Sequence, residues 1–190
     1  PCHSFVAIHC VCVGIGAGGS TPMLARICVV DGQGNELLPS TFVRPTAPVA
    51  DYRTDKTGIQ AQHLASSESF SIPFGTIQQT VARLLRGKTL VGHKVILVVL
   101  GIAHPAVSTR DLALYMPYRT TLRAPNHIFE LKELISSFMM RRIQVQGEEP
   151  AESARASMDL YRTTSPQWET AIANGQWPCA IPPSQYSRCY

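Results

Sequence analysis

His9, Cys10 and Cys12 share one short β-rich run with Val11, and Cys2 and His3 stand just ahead of them, so imidazoles and thiols able to ligate a metal gather near the start of the chain. Their order lacks the spaced pairs of a zinc finger, and buried thiols are the reading taken; a structural zinc held by some of Cys2, His3, His9 and Cys10 is the alternative. On a strand, Cys10 and Cys12 alternate with His9 and Val11, which places their sulfurs on the face away from His9. Lys94 is a second position of chemical interest. If it shares a cleft with His9, phosphate can bind there without a metal; otherwise Val11 and Val98 fill the pocket as additional core. Glu148 offers a carboxylate that could accept a proton. Arg119, Arg123, Arg141 and Arg142 sit at loops and helix ends, either as nucleic-acid contacts or as solvated cations that complement helix C-termini. Trp168, Trp177 and Tyr186 lie in a proline-rich tail, where they either clamp back onto the domain or dock a partner.

These residues fall in a recognisable order of blocks. Phe5-Val6-Ala7-Ile8-His9-Cys10-Val11-Cys12-Val13-Gly14-Ile15-Gly16 is followed by Leu24-Ala25-Arg26-Ile27-Cys28-Val29-Val30-Asp31, Phe42-Val43-Arg44-Pro45, Val49-Ala50-Asp51-Tyr52-Arg53-Thr54 and Thr57-Gly58-Ile59. Leu90-Val91-Gly92-His93, Ser108-Thr109-Arg110-Asp111 and Ala154-Arg155-Ala156-Ser157-Met158-Asp159-Leu160-Tyr161 complete the set. In joint order they resemble the DEDDh-type 3′–5′ RNA exonucleases, in the branch of the nucleolar rRNA-processing and interferon-stimulated enzymes.

The resemblance implies Asp-x-Glu at His9 and Val11, an aspartate at Val98, a histidine at Glu148 and an aspartate at Ser153; this chain carries none of them. A local shift in the second motif changes nothing, because Lys94-Val95-Ile96-Leu97-Val98-Val99-Leu100 contains no carboxylate. In the intact family those carboxylates hold two Mg²⁺ or Mn²⁺ ions and the histidine is the general base. Valine offers a cation no oxygen, so no catalytic residue, metal or cofactor is expected here. The expectation is a catalytically inactive pseudo-exonuclease that serves as a protein-protein or RNA interaction module in RNA processing, ribosome assembly or RNA silencing. The alternative is an active 3′–5′ RNA exonuclease with a non-standard site. A protein partner is expected, RNA is the second candidate, and the setting is intracellular, nuclear or nucleolar rather than cytoplasmic.

The chain must still build an interior to hold these positions. Its 190 residues, 45% of them hydrophobic, suffice for one sizeable core. A net charge of +4 permits nucleic-acid contact without demanding it. No apolar run is long enough to span a membrane, and Pro1-Cys2-His3 has neither the charged nor the apolar region of a signal peptide. The missing initiator methionine suggests an excised or processed chain. The six cysteines form no dense framework, which favours a reducing compartment.

The expected fold is α/β, an RNase H-like exonuclease fold with a mixed five-stranded sheet, an antiparallel meander plus parallel strands, flanked by helices. Strands are expected at Phe5 to Val13, Leu24 to Val30 and Glu36 to Val43, and short ones at Thr89 to Val91 and Ala106 to Ser108. Phe74, Ile77, Val81, Leu84 and Leu85 share one face of a helix over Phe74 to Leu85. Further helices are expected near Val95 to Ile102, Leu131 to Met140 and Glu148 to Arg162. Residues 1–164 are read as the exonuclease-like domain and 165–190 as a Pro/Trp-rich extension, where Pro166 should prevent a long helix.

Overall fold

The alternating apolar run that opens the chain forms β1 (Phe5–Ile15), which a 3₁₀ turn at Ala17–Gly19 returns as β2 (Thr21–Asp31); a tight turn then leads to β3 (Glu36–Arg44). A computed structural model describes residues 4–65, 71–94 and 97–188, the last three of these by backbone alone. The antiparallel meander is present as expected. Short elements follow: β4 (Val49–Asp51), α1 (Thr54–Thr57), α2 (Ala61–Leu64) and β5 (Ser71–Pro73), then α3 (Phe74–Leu85), β6 (Thr89–Gly92) and β7 (Thr109–Asp111). The chain continues through α4 (Met116–Thr121), α5 (Leu131–Met139) and α6 (Pro150–Ala173). The sheet has seven strands rather than five, in the order β5-β3-β2-β1-β6-β7, with β4 paired to β1. β6 runs parallel to β1 and β7 parallel to β6.

Two apolar layers sandwich this sheet. On one face Ile77, Val81 and Leu85 of α3 meet Val6, Ile8, Leu24, Ile27 and Val29, each aliphatic side chain contributing about 1.5–3 kcal/mol by burial. On the other face α6 lays Ala154, Met158, Leu160 and Tyr161 over Ala7, Cys28, Val30 and Val91. A third cluster around Val11, Val13, Ala25, Ile59 and Leu64 closes the end of β1.

Several local expectations need correction. The helix near Val95 to Ile102 is, over its described part, a single 3₁₀ turn at Leu97–Leu100. Three residues per turn bring Leu97 and Leu100 inward, Leu100 fully so, and turn Val98 to solvent. Ala106–Ser108 is another 3₁₀ turn, and the strand begins one residue later at Thr109.

α6 does not stop at the 164/165 boundary: it runs 24 residues through Pro166. Proline has no N–H for the Arg162 carbonyl, and the Ser165 hydroxyl donates to that oxygen instead, at 3.2 Å. The reward for continuing is Trp168, fully buried and stacked on Tyr115 with ring centroids 3.9 Å apart. Beyond α6 the tail folds back along Leu114–Met116, where the Met116 amide donates to Pro178 O and the Ala180 amide to Leu114 O, both at 2.9 Å. Among the described residues no helix is long and apolar enough to cross a membrane.

Candidate functional site

β1 pairs with β6 only as far as Ala7 opposite Val91, and with β4 only from Gly14 onward. Between those two ladders a cleft of about 200 Å³ opens along His9, Cys10 and Cys12. α1 contributes Lys56 to its wall, with Arg53 just ahead; the loop after β6 contributes His93 and Lys94; the N-cap of α5 contributes Glu130; and the α5–α6 loop contributes Gln144 and Glu148.

His9 lines this cleft, and its buried Nε2 has no hydrogen-bond partner among the described residues. Burial, and then the nearby His93 and Lys56, hold its pKa down at about 4, so the ring is neutral at physiological pH. His93 is lowered as well, mainly by burial, and its Nε2 lies 2.7 Å from the Phe129 carbonyl. Lys94, in left-handed backbone at φ 49°, is fixed from both ends. Its amide donates to Asp111 Oδ1 at 3.0 Å and its ammonium meets Glu130 Oε1 at 2.5 Å. That pairing lowers the pKa of Glu130 against the opposing effect of burial. Lys56 stands 3.6 Å from Glu148 Oε1 and its side chain is 68% exposed. Burial raises the Glu148 pKa despite that neighbour. The cleft therefore carries three cations, Arg53, Lys56 and Lys94, against two carboxylates, where the intact motif would place four carboxylates.

The five positions expected to have lost their ligands do not even converge. Only His9 and Glu148 line the cleft. Val11 is buried in the cluster with Val13, Ile59 and Leu64. Ser153 is fully buried under Gln144, whose side-chain amide donates to the Ser153 hydroxyl at 3.0 Å while its backbone amide donates to Glu152. Val98 is 68% exposed outside the cleft; residues 95 and 96, which a shift of the second motif would bring to that place, lie outside the described residues. A pair of divalent cations does not fit this donor set. A buried imidazole, a valine in the core, a capped serine and a lysine-paired glutamate leave a cation no oxygen cage, and among the described residues no group of three His, Cys, Asp or Glu stands close enough to hold one.

The other candidates divide. His9 and Lys94 do share the cleft. Cys10 packs with Val6 and Ile8 against the α3-side cluster, as strand alternation implies, while it and Cys12 also border the cleft; burial raises both thiols, Cys12 to about 11. Cys2 and His3 lie outside the described residues. Arg119 is no surface contact: it is 6% exposed and donates to the carbonyls of Ala113 and Pro125, fixing the loop after α4. Arg123, Arg141 and Arg142 are exposed, and Arg141 pairs with Asp159 at 3.1 Å. Trp168 is core rather than docking surface, and Trp177 donates its indole N–H to Ile181 O at 2.6 Å. The Tyr186 side chain lies outside the described residues. Arg53, Lys56, Glu130 and Gln144 escaped sequence reading, although Arg53 stands in one of the ordered blocks and Lys56 directly between two of them.

Comparison with known proteins places these features in context. No family model matches the chain. The human apoptosis-enhancing nuclease is 35% identical over 188 residues, covering 92% of this chain and 54% of the relative. RNA exonuclease 4 of Neurospora crassa is 39% identical over 160 residues, covering 83% and 38%. The chain thus spans about half or less of the curated relatives it matches. Among solved structures, the Saccharomyces cerevisiae Pan2 pseudoubiquitin hydrolase–RNA exonuclease module in complex with AAUUAA RNA superimposes with a TM-score of 0.73 at 22% identity, covering 90% of this chain and 30% of that one. The Neurospora crassa Pan2 catalytic unit gives 0.70 at 20% identity, covering 92% and 28%.

Proposed function

The chain belongs to the DEDDh-type 3′–5′ exonuclease family, with its RNase H-like fold, and on that premise we propose that it is a non-hydrolytic member, an RNA-binding pseudo-exonuclease domain. The observation that carries the reading is the dispersal of the five motif positions: Val11 in the core, Ser153 capped by Gln144, Val98 in solvent, His9 neutral and Glu148 beside Lys56. The intact family's chemistry needs two metal ions to bind the scissile phosphate and activate water. Among the described residues the cleft lacks a group of ligands close enough to assemble them, and its carboxylates Glu130 and Glu148 face Lys94 and Lys56.

RNA is favoured over a protein as the ligand. A Pan2 relative of the same fold is solved with RNA, and the tail that was to dock a protein spends Trp168 and the Trp177 indole N–H on its own domain. The RNA-processing setting follows from the relatives named RNA exonuclease; a nuclear or nucleolar location rests on the family resemblance. The test is incubation with single-stranded RNA and Mg²⁺ or Mn²⁺. The RNA stays intact at stoichiometric protein, while a fluorescence-anisotropy titration detects binding. A cleavage ladder abolished by EDTA overturns the reading, as does the absence of RNA binding.

A further inference from the structure

Resting on that reading, we propose that the former metal cleft binds a phosphate ester of RNA directly, with Lys56, Lys94 and His9 in place of divalent ions. Three observations converge on this. First, the cleft is built, not filled: it keeps about 200 Å³ of space between β1, α1, the N-cap of α5 and the α5–α6 loop. Second, its charge is inverted. An acidic cage stripped of metal repels a phosphodiester, whereas Arg53, Lys56 and Lys94 outnumber Glu130 and Glu148 here. Third, His9 lines the cleft and its buried Nε2 has no partner among the described residues, a state that costs free energy until a hydrogen bond is made. A neutral imidazole in the Nε2–H tautomer donates to a phosphate oxygen and carries no charge that burial would penalise.

The cations differ in readiness. Lys94 is held by Glu130 at 2.5 Å and Arg53 donates to the Gly19 carbonyl, so both are fixed in place. Lys56, exposed and only loosely set against Glu148 at 3.6 Å, is the one that can swing onto an incoming phosphate. Trading an exposed carboxylate contact for a phosphate changes little in ion-pair energy; the occupied His9 and the desolvated phosphate contacts supply the gain.

The experiment is an anisotropy titration of a fluorescent oligoribonucleotide against the intact chain, in EDTA and then in Mg²⁺, with adenosine 5′-monophosphate and inorganic phosphate as competitors. The proposal expects equal affinity in both buffers, competition by the mononucleotide, and at least a fivefold loss in Lys56→Ala, a surface change that leaves folding intact. His9→Phe keeps the cleft wall filled and removes the donor; it lowers affinity in the same sense, and its thermal transition is recorded alongside. Competition by the mononucleotide, with or without competition by inorganic phosphate, supports the site; competition by inorganic phosphate but not by the mononucleotide shows a simple anion site and overturns the inference. RNA that binds only with Mg²⁺, or binds equally well to Lys56→Ala and is not displaced by either competitor, overturns this inference while leaving RNA binding itself standing. RNA that does not bind at all removes both.

Discussion

Protonating His9 means charging an imidazole that the fold has desolvated, and this gives the residue a signature in stability. Its folded pKa near 4 lies below the ordinary 6.5, so the unfolded chain takes up the proton first. The stability that neutral His9 confers is complete above about pH 6.5 and drains away as pH falls toward 4, at about 1.4 kcal/mol per pH unit for one group. Urea midpoints of the wild type and His9→Asn should therefore converge between pH 7 and pH 4. A gap that is constant across that range is evidence against a buried neutral ring. Because His93 and His9 influence one another, the same pair of proteins is also compared in a His93→Asn background. The same residue-level geometry predicts the outcome of reversing the losses. Asp at position 9, Glu at 11, Asp at 98, His at 148 and Asp at 153 restore the motif in sequence only, since Val11 is core and Val98 faces solvent. Burying a carboxylate among Val13, Ile59 and Leu64 costs several kcal/mol. The fivefold variant is expected to lose thermal stability and to remain silent on RNA, with calorimetry and a ladder assay as the readouts.

α6 is the element on which the two ends of the molecule meet. Its first turn carries Ser153 beside the cleft, and fifteen residues further on Trp168 is buried against Tyr115. The Arg110 guanidinium, 5% exposed, is held there by both Glu169 oxygens at 2.7 and 2.9 Å, and the Tyr161 hydroxyl donates to the same carboxylate. Trp168→Ala should cost about 3–5 kcal/mol, as truncation of a buried large aromatic does. A chain ending at residue 164 should lose its cooperative urea transition, and one ending at residue 175 should keep it; equal behaviour would contradict the placement of Trp168. How legible the elements were follows from their length and periodicity. The meander and α3 announce themselves because alternation and a helical face persist long enough to be distinguished. β4, β5, α1, α2 and α4 span three to six residues, too few to repeat a period. The run after Lys94 is apolar throughout and so carries no face to read, and Pro166 hides a helix that the neighbouring Ser165 hydroxyl makes possible. That His9, Val11, Val98, Glu148 and Ser153 differ from the residues the family resemblance implies was visible in the sequence. That Val98 leaves the site altogether was not, because it depends on how the chain departs from β6.

Over the whole molecule, the +4 charge is modest. Affinity for RNA should then depend on salt in proportion to the few phosphates neutralised. With about three engaged, log K should fall against log salt with a slope of roughly −2, and Lys56→Ala should flatten it by somewhat less than one unit. A slope near zero would point to binding without phosphate contacts. The docking of α6 onto β1 has a further bearing on how the protein is made. The central strand is laid down among the first fifteen residues, yet the helix that covers one of its faces arrives only with residues 150–173. During synthesis that face waits uncovered while most of the domain is translated, so completion is a late, long-range event instead of a progressive one. A ribosome stalled before α6 emerges holds an adhesive, protease-sensitive intermediate that is a natural client for chaperones.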